Sequence, residues 1–420
     1  MAQKKIVISV RPTETVVGLY EDNRLVELGV DRPNEIKLVG NIYVGKVQNV
    51  IPSMQAAFVN YGAERDGFLS LDDVRFPPGT KNPRRSRIQD VLRKGQSLIV
   101  QIEKEPIGEK GCRLTTDISL PGRHLVLMPT NPRRGVSRRV ESEEERNRLK
   151  ALLDEVVPKE YGVIARTVAG GVSKRDLAAD YRYLSRIWKE IEEDYRRDPD
   201  RPHLVHKELD MALSLVRDNF TRECEEILCD DRFVYEEIKE FLSTFAPRGD
   251  WDRKTVVFDK PGSLVHQYGL DKEIRQALAK RVPLPCGGSL IIEEMETLSA
   301  IDVNSGRNVH GDEQRQIILT TNMEAAEEIP RQLRLRGIGG IVVIDFIDME
   351  SKGDKLKVLN QLRKGLRADK AASDVYAFSE LGTIQLSRER TRPSLSRLLT
   401  RECPHCEGSG HVPKIKLLRG

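Results

Sequence analysis

Two short runs carry the residue types best suited to chemistry. In Leu298-Ser299-Ala300-Ile301-Asp302-Val303-Asn304-Ser305-Gly306 the strand repeat of two sets Asp302 and Asn304 on one face and Ile301 and Val303 on the other. In Ile341-Val342-Val343-Ile344-Asp345 a second acid closes an uninterrupted apolar strand, where a buried, unpaired carboxylate is costly. That charge asks for compensation. Carboxylates at the ends of adjacent strands commonly hold Mg²⁺, a hard cation that keeps waters, activates one of them and steadies a phosphoryl transition state. The competing reading is that each Asp caps a strand-to-loop turn. Asp348, three residues on, is either a supporting carboxylate or a helix cap.

A third run, Cys403-Pro404-His405-Cys406-Glu407-Gly408-Ser409-Gly410, has the spacing of a zinc half-site. It offers two thiolates where tetrahedral structural zinc takes four ligands. His411 is a candidate third donor. No second Cys-x-x-Cys exists, and Cys224 with Cys229 falls in an expected helix at unsuitable spacing. Two copies of the chain, each donating its pair, complete a four-sulfur site, so ligand counting predicts a homodimer. A redox pair or an ordinary exposed turn are the alternatives.

The elements that must position these residues are legible from periodicity. Residues 4–30 alternate apolar and polar positions, as half-buried strands do, and predict an opening hairpin. From 37 to 120, about five short strands separated by Gly and Pro suggest a small barrel. The spacer 77–87, with Pro77, Pro78, Pro83, Lys81, Arg84, Arg85 and Arg87, reads as an exposed basic loop. A helix is expected near 142–156, then a strand Gly162-Val163-Ile164-Ala165. After Ser173 as N-cap, a long helix carries Leu177, Tyr181, Leu184, Trp188, Ile191 and Tyr195 as one apolar stripe. The last third alternates strand and helix, with 312–335 helical and Pro330 as a kink or new start, and 352–370 helical. That alternation predicts an α/β domain with a buried sheet.

Composition bounds the whole. The chain has 420 residues, 39% hydrophobic and 32% charged, which excludes disorder of the whole and suits two or three domains. No apolar run approaches the ~18 residues of a membrane span. The apolar stretch Ile6–Val10 is too short for a secretory signal, so a cytoplasmic chain with reduced thiols is expected. Lys plus Arg is 69 against 65 acids, a net of only +4. Along the chain, however, the bases gather at 81–87, 133–139, 363–370 and 388–401, offset by acidic helices, and a polyanion can bind such local fields.

Taken in order, Ile301-Asp302-Val303-Asn304-Ser305-Gly306, Ile344-Asp345-Phe346-Ile347-Asp348-Met349 and Cys403-Pro404-x-Cys406-x-Gly408-x-Gly410 resemble the RNase E/G family of bacterial endoribonucleases. So do Ala56-Ala57-Phe58-Val59-x-Tyr61-Gly62, Leu125-Val126-Leu127-Met128-Pro129 and Arg166-Thr167, and the likeness runs from about residue 5 to 412. The resemblance implies an α/β multidomain chain. Its parts are an RNase H-like domain (1–36 and 209–276), an inserted OB-fold β-barrel (37–120), a 5′-sensor domain (121–208), a DNase I-like domain (277–398) and a zinc-link (399–420).

The resemblance further implies that Asp302 and Asp345 hold a catalytic Mg²⁺ and that Asn304 contacts the scissile phosphate or the attacking water. Gly122, Val126, Arg166 and Thr167 would bind a 5′-monophosphate, although Arg166 read alone is equally a surface residue. Phe58 and Phe68 would stack bases and Lys110 would meet the backbone, with barrel core as the other reading of the phenylalanines. Arg138 and Arg139 are expected phosphate contacts, and Cys403 and Cys406 would ligate a zinc shared by two subunits. The implied activity is Mg²⁺-dependent cleavage of single-stranded, AU-rich RNA in rRNA processing and mRNA decay. The alternative is a non-catalytic RNA-binding or ribosome-associated protein. Two departures stand out: Ala371-Ala372 occupies a position that is often basic in the family, and the chain ends ten residues after Gly410. The short end implies neither a tetramer nor degradosome partners.

Overall fold

The computed structural model describes residues 3–32, 37–76, 86–105, 111–221, 223–245, 255–257, 263–306, 312–406, 408 and 410. Most of the basic spacer 77–87, together with Lys110 and His411, lies outside the described residues. The chain divides into two compact units: Met1–Val30, Glu225–Asp231 and Val257–Gly420 form the first, Asp31–Cys224 and Arg232–Val256 the second.

The first unit holds two sheets. The strands Lys4–Val10 and Thr15–Glu21 form the expected hairpin, extended on one side by Arg24–Asp31 and on the other by Cys224–Cys229. Cys224 and Cys229 are therefore on a strand, correcting the expected helix. The reason is the apolar triplet Ile227, Leu228 and Cys229, all buried in the sheet and followed by Asp230. The Asp230 carboxylate accepts from Ser9 Oγ and Val10 N, both at 2.7 Å, which ties the strand end to its neighbour.

The second sheet has six strands, in the order Arg281–Pro283, Ser289–Glu294, Leu298–Asn304, Gly340–Asp345, Thr383–Arg388, Ser373–Phe378. Among the described residues of this sheet, only Leu298–Asn304 and Gly340–Asp345 run parallel, joined by the helix Asp312–Arg336. This helix and Lys352–Arg367 supply Ala325, Ala326, Ile329, Leu333, Val358, Leu362 and Leu366 to one core with Ile292, Ile301, Val303, Val342 and Ile344. The helix passes through Pro330 unbroken. Pro330 faces Gly365 so closely that an added Cβ there would lie 2.6 Å from its Cγ, so the two helices meet only because Gly365 has no side chain.

Guanidinium groups lock this unit together. Arg392 donates to the carbonyls of Arg334 and Leu335 at the end of the long helix and to Leu28 O on the opening sheet. Arg334 reaches both oxygens of Glu21 at 3.1 Å. Arg388 is 6% exposed, paired with the Asp369 carboxylate at 2.6 Å and bonded to Ile338 O. Arg388 and Arg392 of the 388–401 strip are thus spent on internal carbonyls and a buried carboxylate, whereas Arg390, Arg397 and Arg401 are exposed.

The second unit contains a closed five-stranded barrel. Ile42–Ile51 pairs with Ala56–Asn60, then follow Gly67–Ser70, Arg113–Thr115 and Ser97–Lys104, which pairs back onto the first strand. Val47, Ala57, Val59, Leu69, Val100, Ile102 and Leu114 fill it. Beside it in sequence is a four-stranded sheet, Arg134–Val136, Gly162–Ala165, Leu125–Met128, Leu120–Pro121. It is backed by the helices Glu143–Val156 and Lys174–Arg197. Ser142 and Ser173 cap these helices through backbone N–H groups three residues on, and the Ser173 cap is a full capping box with Asp176.

One prediction concerns the Asp369–Arg388 pair. Asp369→Ala strands a buried guanidinium, for which about 3–5 kcal/mol of lost stability is expected. Urea unfolding followed by tryptophan-independent circular dichroism measures it, and a loss under about 1 kcal/mol would contradict the role assigned to the pair.

Candidate functional site

The parallel register sets Asp302 directly opposite Asp345, with Ile301 opposite Ile344 one step earlier. Along Ile301-Asp302-Val303-Asn304 the burial alternates, with both aliphatic residues buried and both polar residues exposed. The helices cover the aliphatic face, so the carboxylates stand on the other. Asp345 is exposed, not buried at the end of its apolar strand as expected. The same period of two that buries Val342 and Ile344 turns Asp345 outward. The Asn304 amide donates to Asp302 Oδ2 at 2.7 Å and steadies that carboxylate.

Thr383 is the partner of Asp345 on the far side, so Asp302, Asp345 and Thr383 lie abreast on three strands. Asp348 is exposed and does not cap the next helix, whose N-cap is Ser351. Ala371 and Ala372 precede Ser373, which pairs with Arg388 at the Gly340 end of the sheet. That end is about 17 Å of strand from Asp345. Two neighbouring, solvent-facing carboxylates with a carboxamide beside them form a hard oxygen donor set, which fits a cation that retains several waters. Among the described residues no group of three or more His, Cys, Asp and Glu is assembled as a metal cage.

A second site forms in the other unit around the turn Gly122–Leu125. Asp180, 1% exposed, accepts from the backbone N–H groups of Arg123, His124 and Leu125 at 3.1, 2.7 and 2.8 Å. Burial raises its pKa, and these three bonds oppose that rise. Its carboxylate presses on Gly122, where a Cβ would lie 2.5 Å from Oδ1, so only glycine fits. Gly122 N–H donates to Leu125 O, and its carbonyl accepts from Arg166 Nη1 at 2.6 Å. The same Nη1 reaches Asp218 Oδ1 at 2.7 Å, and Asp218 is shared with Arg217.

The Nε and Nη2 groups of Arg166 make no hydrogen bond among the described residues. Thr167 follows, exposed, its hydroxyl 3.0 Å from Ser137 Oγ. Val126 lies in the strand paired with both its neighbours. His124 is buried. Desolvation, then the positive field of Arg123, lowers its pKa to about 4, so it is neutral at physiological pH.

Phe58 and Phe68 are cross-strand partners with ring centroids 6.0 Å apart in an edge-to-face pair. Both are half-buried, while the neighbours Ala57, Val59 and Leu69 fill the barrel. They are therefore on its outer wall and not in its core. Arg138 and Arg139 are exposed, whereas Arg134 in the same strip spends its guanidinium on the carbonyls of Leu153, Val157 and Pro158. Cys403 is exposed and Cys406 half-buried. Hydrogen bonding from the His405 and Cys406 backbone, followed by the Cys406 thiol, lowers the Cys403 pKa, which favours the thiolate a soft metal needs.

Sequence reading missed Asp180, Asp218, Ser137 and Arg123. Asp180 was detectable: it stands three residues after Leu177 and four before Leu184, a charge on a stripe otherwise apolar. Asp218 and Ser137 carry no periodic signal because they come from separate elements, and Arg123 is a single base within the turn itself.

A family model described as the Ribonuclease E/G family matches residues 119–391. The chain is 38% identical to Ribonuclease G of Salmonella typhimurium (strain SL1344), covering 98% of this chain and 85% of that protein. Identity and coverage are the same with Ribonuclease G of Escherichia coli (strain K12). With Ribonuclease E of Haemophilus influenzae (strain ATCC 51907 / DSM 11121 / KW20 / Rd) identity is 39% over 98% of this chain and 44% of that protein. This chain belongs to the ribonuclease E/G family.

Proposed function

We propose that this endoribonuclease cuts single-stranded RNA, with a preference for AU-rich unpaired segments, at Asp302, Asn304 and Asp345. The observation that carries the reading is the register that sets two exposed carboxylates side by side on adjacent parallel strands, in a member of this family. A Mg²⁺ ion held by Asp302 and Asp345 would supply an activated water and offset the charge that develops on the phosphate. Asn304, by donating to Asp302 Oδ2, keeps one oxygen of that carboxylate in place, and its exposed side chain would contact the scissile phosphate or the attacking water. The products are a 3′-hydroxyl and a 5′-phosphate, in rRNA processing and mRNA decay.

By the same reading the barrel is an OB-fold whose Phe58 and Phe68 rings stack bases, with Lys110 on the backbone. Residues 121–208 form the 5′-sensor, 1–36 with 209–276 the RNase H-like part, 277–398 the DNase I-like part and 399–420 the zinc-link. In the sensor, the free side of the Arg166 fork and the Thr167 hydroxyl suit a dianionic phosphate, and Arg138 and Arg139 meet phosphates nearby. A triphosphate brings more charge and bulk than such a pocket accepts. Cys403 and Cys406 offer half of a tetrahedral zinc site, which a second copy completes to give a homodimer.

Three outcomes test this. Asp302→Asn should keep RNA binding and slow cleavage more than about a hundredfold, the scale of losing several kcal/mol of charge stabilisation. Wild-type rates in Mg²⁺ from that variant would reject the metal site, and an inactive wild type would point to a non-catalytic RNA-binding protein. One oligonucleotide carrying either a 5′-monophosphate or a 5′-hydroxyl should be cut faster in the first form, and Arg166→Gln should erase the difference. Equal rates in the wild type would remove Arg166 and Thr167 from the pocket. Cys403→Ser should release zinc and yield monomers by light scattering, so an unchanged dimer mass would exclude the shared site.

A further inference from the structure

The turn that holds Arg166 carries a second guanidinium that no carboxylate among the described residues pairs with directly. Arg123 follows Gly122 directly, and its side chain lies over the Phe220 ring with Cζ 5.3 Å from the centroid. The ring fixes the guanidinium through its face and leaves the in-plane N–H donors to other partners. Among the described residues the guanidinium makes no hydrogen bond and no ion pair. Asp180 is the carboxylate that acts on it most strongly, yet both Asp180 oxygens are taken by backbone N–H groups of residues 123–125. Arg217, by contrast, is paired with Glu208 and Asp218, and Arg166 shares Asp218.

A half-buried guanidinium has lost part of its hydration, and burial lowers its pKa accordingly. Asp180 and Asp176 offset part of that loss through space, and an anionic ligand would supply the direct pairing that no carboxylate among the described residues makes. Arg123 and Arg166 serve one turn: the Gly122 carbonyl holds Arg166, the next residue is Arg123, and the fields of both act on His124. Two guanidinium groups at one turn match two successive phosphates of one strand.

We propose that Arg123 is a second phosphate contact of this pocket, taking the first internucleotide phosphodiester while Arg166 takes the 5′-terminal phosphate. This rests on the sensor reading given above for Arg166 and Thr167. The ligand class is then the 5′ end of an RNA strand, and a free phosphomonoester fills only half of the pocket. Arg123 acts through its charge, with Phe220 holding it in place.

The test uses the full chain and a short single-stranded RNA with a 5′-monophosphate, made with either an ordinary or a neutral methylphosphonate first linkage. In the wild type, neutralising that linkage should raise KM about tenfold, the effect of one charge-assisted contact. Arg123→Gln should raise KM about tenfold on the ordinary RNA and show no further rise on the neutral one. Arg123→Lys should recover part of the linkage effect, which separates a lost charge from a damaged fold. An Arg123→Gln enzyme that keeps the full linkage penalty, or a wild type that shows none, overturns the proposal. The same two RNAs with a 5′-hydroxyl separate the two readings. If the wild type cuts hydroxyl and monophosphate forms equally, the sensor reading fails, while a linkage penalty that still vanishes in Arg123→Gln keeps Arg123 as a phosphate contact. If the monophosphate preference holds and the penalty is absent, Arg123 alone is wrong.

Discussion

The parallel register between Leu298–Asn304 and Gly340–Asp345 is the constraint on which the candidate active site depends. A slip of one residue would set Asp302 against a buried aliphatic position and turn one carboxylate into the core. The register is held from the opposite face, where Ile301, Val303, Val342 and Ile344 pack under two helices. Those helices approach closely at Pro330 and Gly365, and the first is pinned at its end by Arg392 on Arg334 O and Leu335 O. Packing on the dry side of the sheet therefore fixes the chemistry on the wet side. Two like charges at adjacent positions repel in an empty site, and under the reading proposed above a cation held between them would relieve that repulsion.

The turn at Gly122–Leu125 solves a different problem by similar means. Three backbone N–H groups in succession form an anion-binding concavity, and here the anion is internal, the Asp180 carboxylate on the helix Lys174–Arg197. The backbone donors of residues 123–125 are consumed in holding the turn, so under the sensor reading proposed above recognition of a ligand falls to the side chains that surround it. Arg166 is the clearest case: one nitrogen is spent on Gly122 O and Asp218, which orients the rest of the fork outward. A buried carboxylate thus trades several backbone hydrogen bonds for a fixed platform on which guanidinium groups are aimed.

Periodicity exposed much of this architecture. The alternation around Asp302 and Asn304, the barrel strands, the Ser142 and Ser173 caps and the apolar stripe from Leu177 to Ile191 all follow from local pattern, and the structure has them. Local pattern failed where a tertiary neighbour decides. Cys224–Cys229 is a strand because the sheet beside it both pairs it and buries its apolar end, Ile227, Leu228 and Cys229, a choice that six residues read alone do not make. The uninterrupted apolar strand suggests a buried Asp345, yet only one face of that strand is covered. Partners such as Asp218 and Arg166, 52 residues apart, leave no trace in either neighbourhood.

Arginine usage shows why a charge map drawn on the sequence overstates the surface available to RNA. A guanidinium presents five donors, and a helix end presents four carbonyls without partners, so the two satisfy one another wherever chain economy brings them together. Arg134 closes the helix Glu143–Val156 in this way, Arg392 the helix Asp312–Arg336, and Arg388 the carbonyl of Ile338. Each such residue counts as a base in a sequence strip and contributes little field to a ligand, because its charge is screened by carbonyl dipoles or a paired carboxylate. The bases left over for a polyanion are exposed ones such as Arg138 and, under the proposal above, the stacked Arg123, which has no ion-pair partner among the described residues. Since a net of +4 is small beside the charge of an RNA strand, binding must rest on where these few residues stand and not on their number.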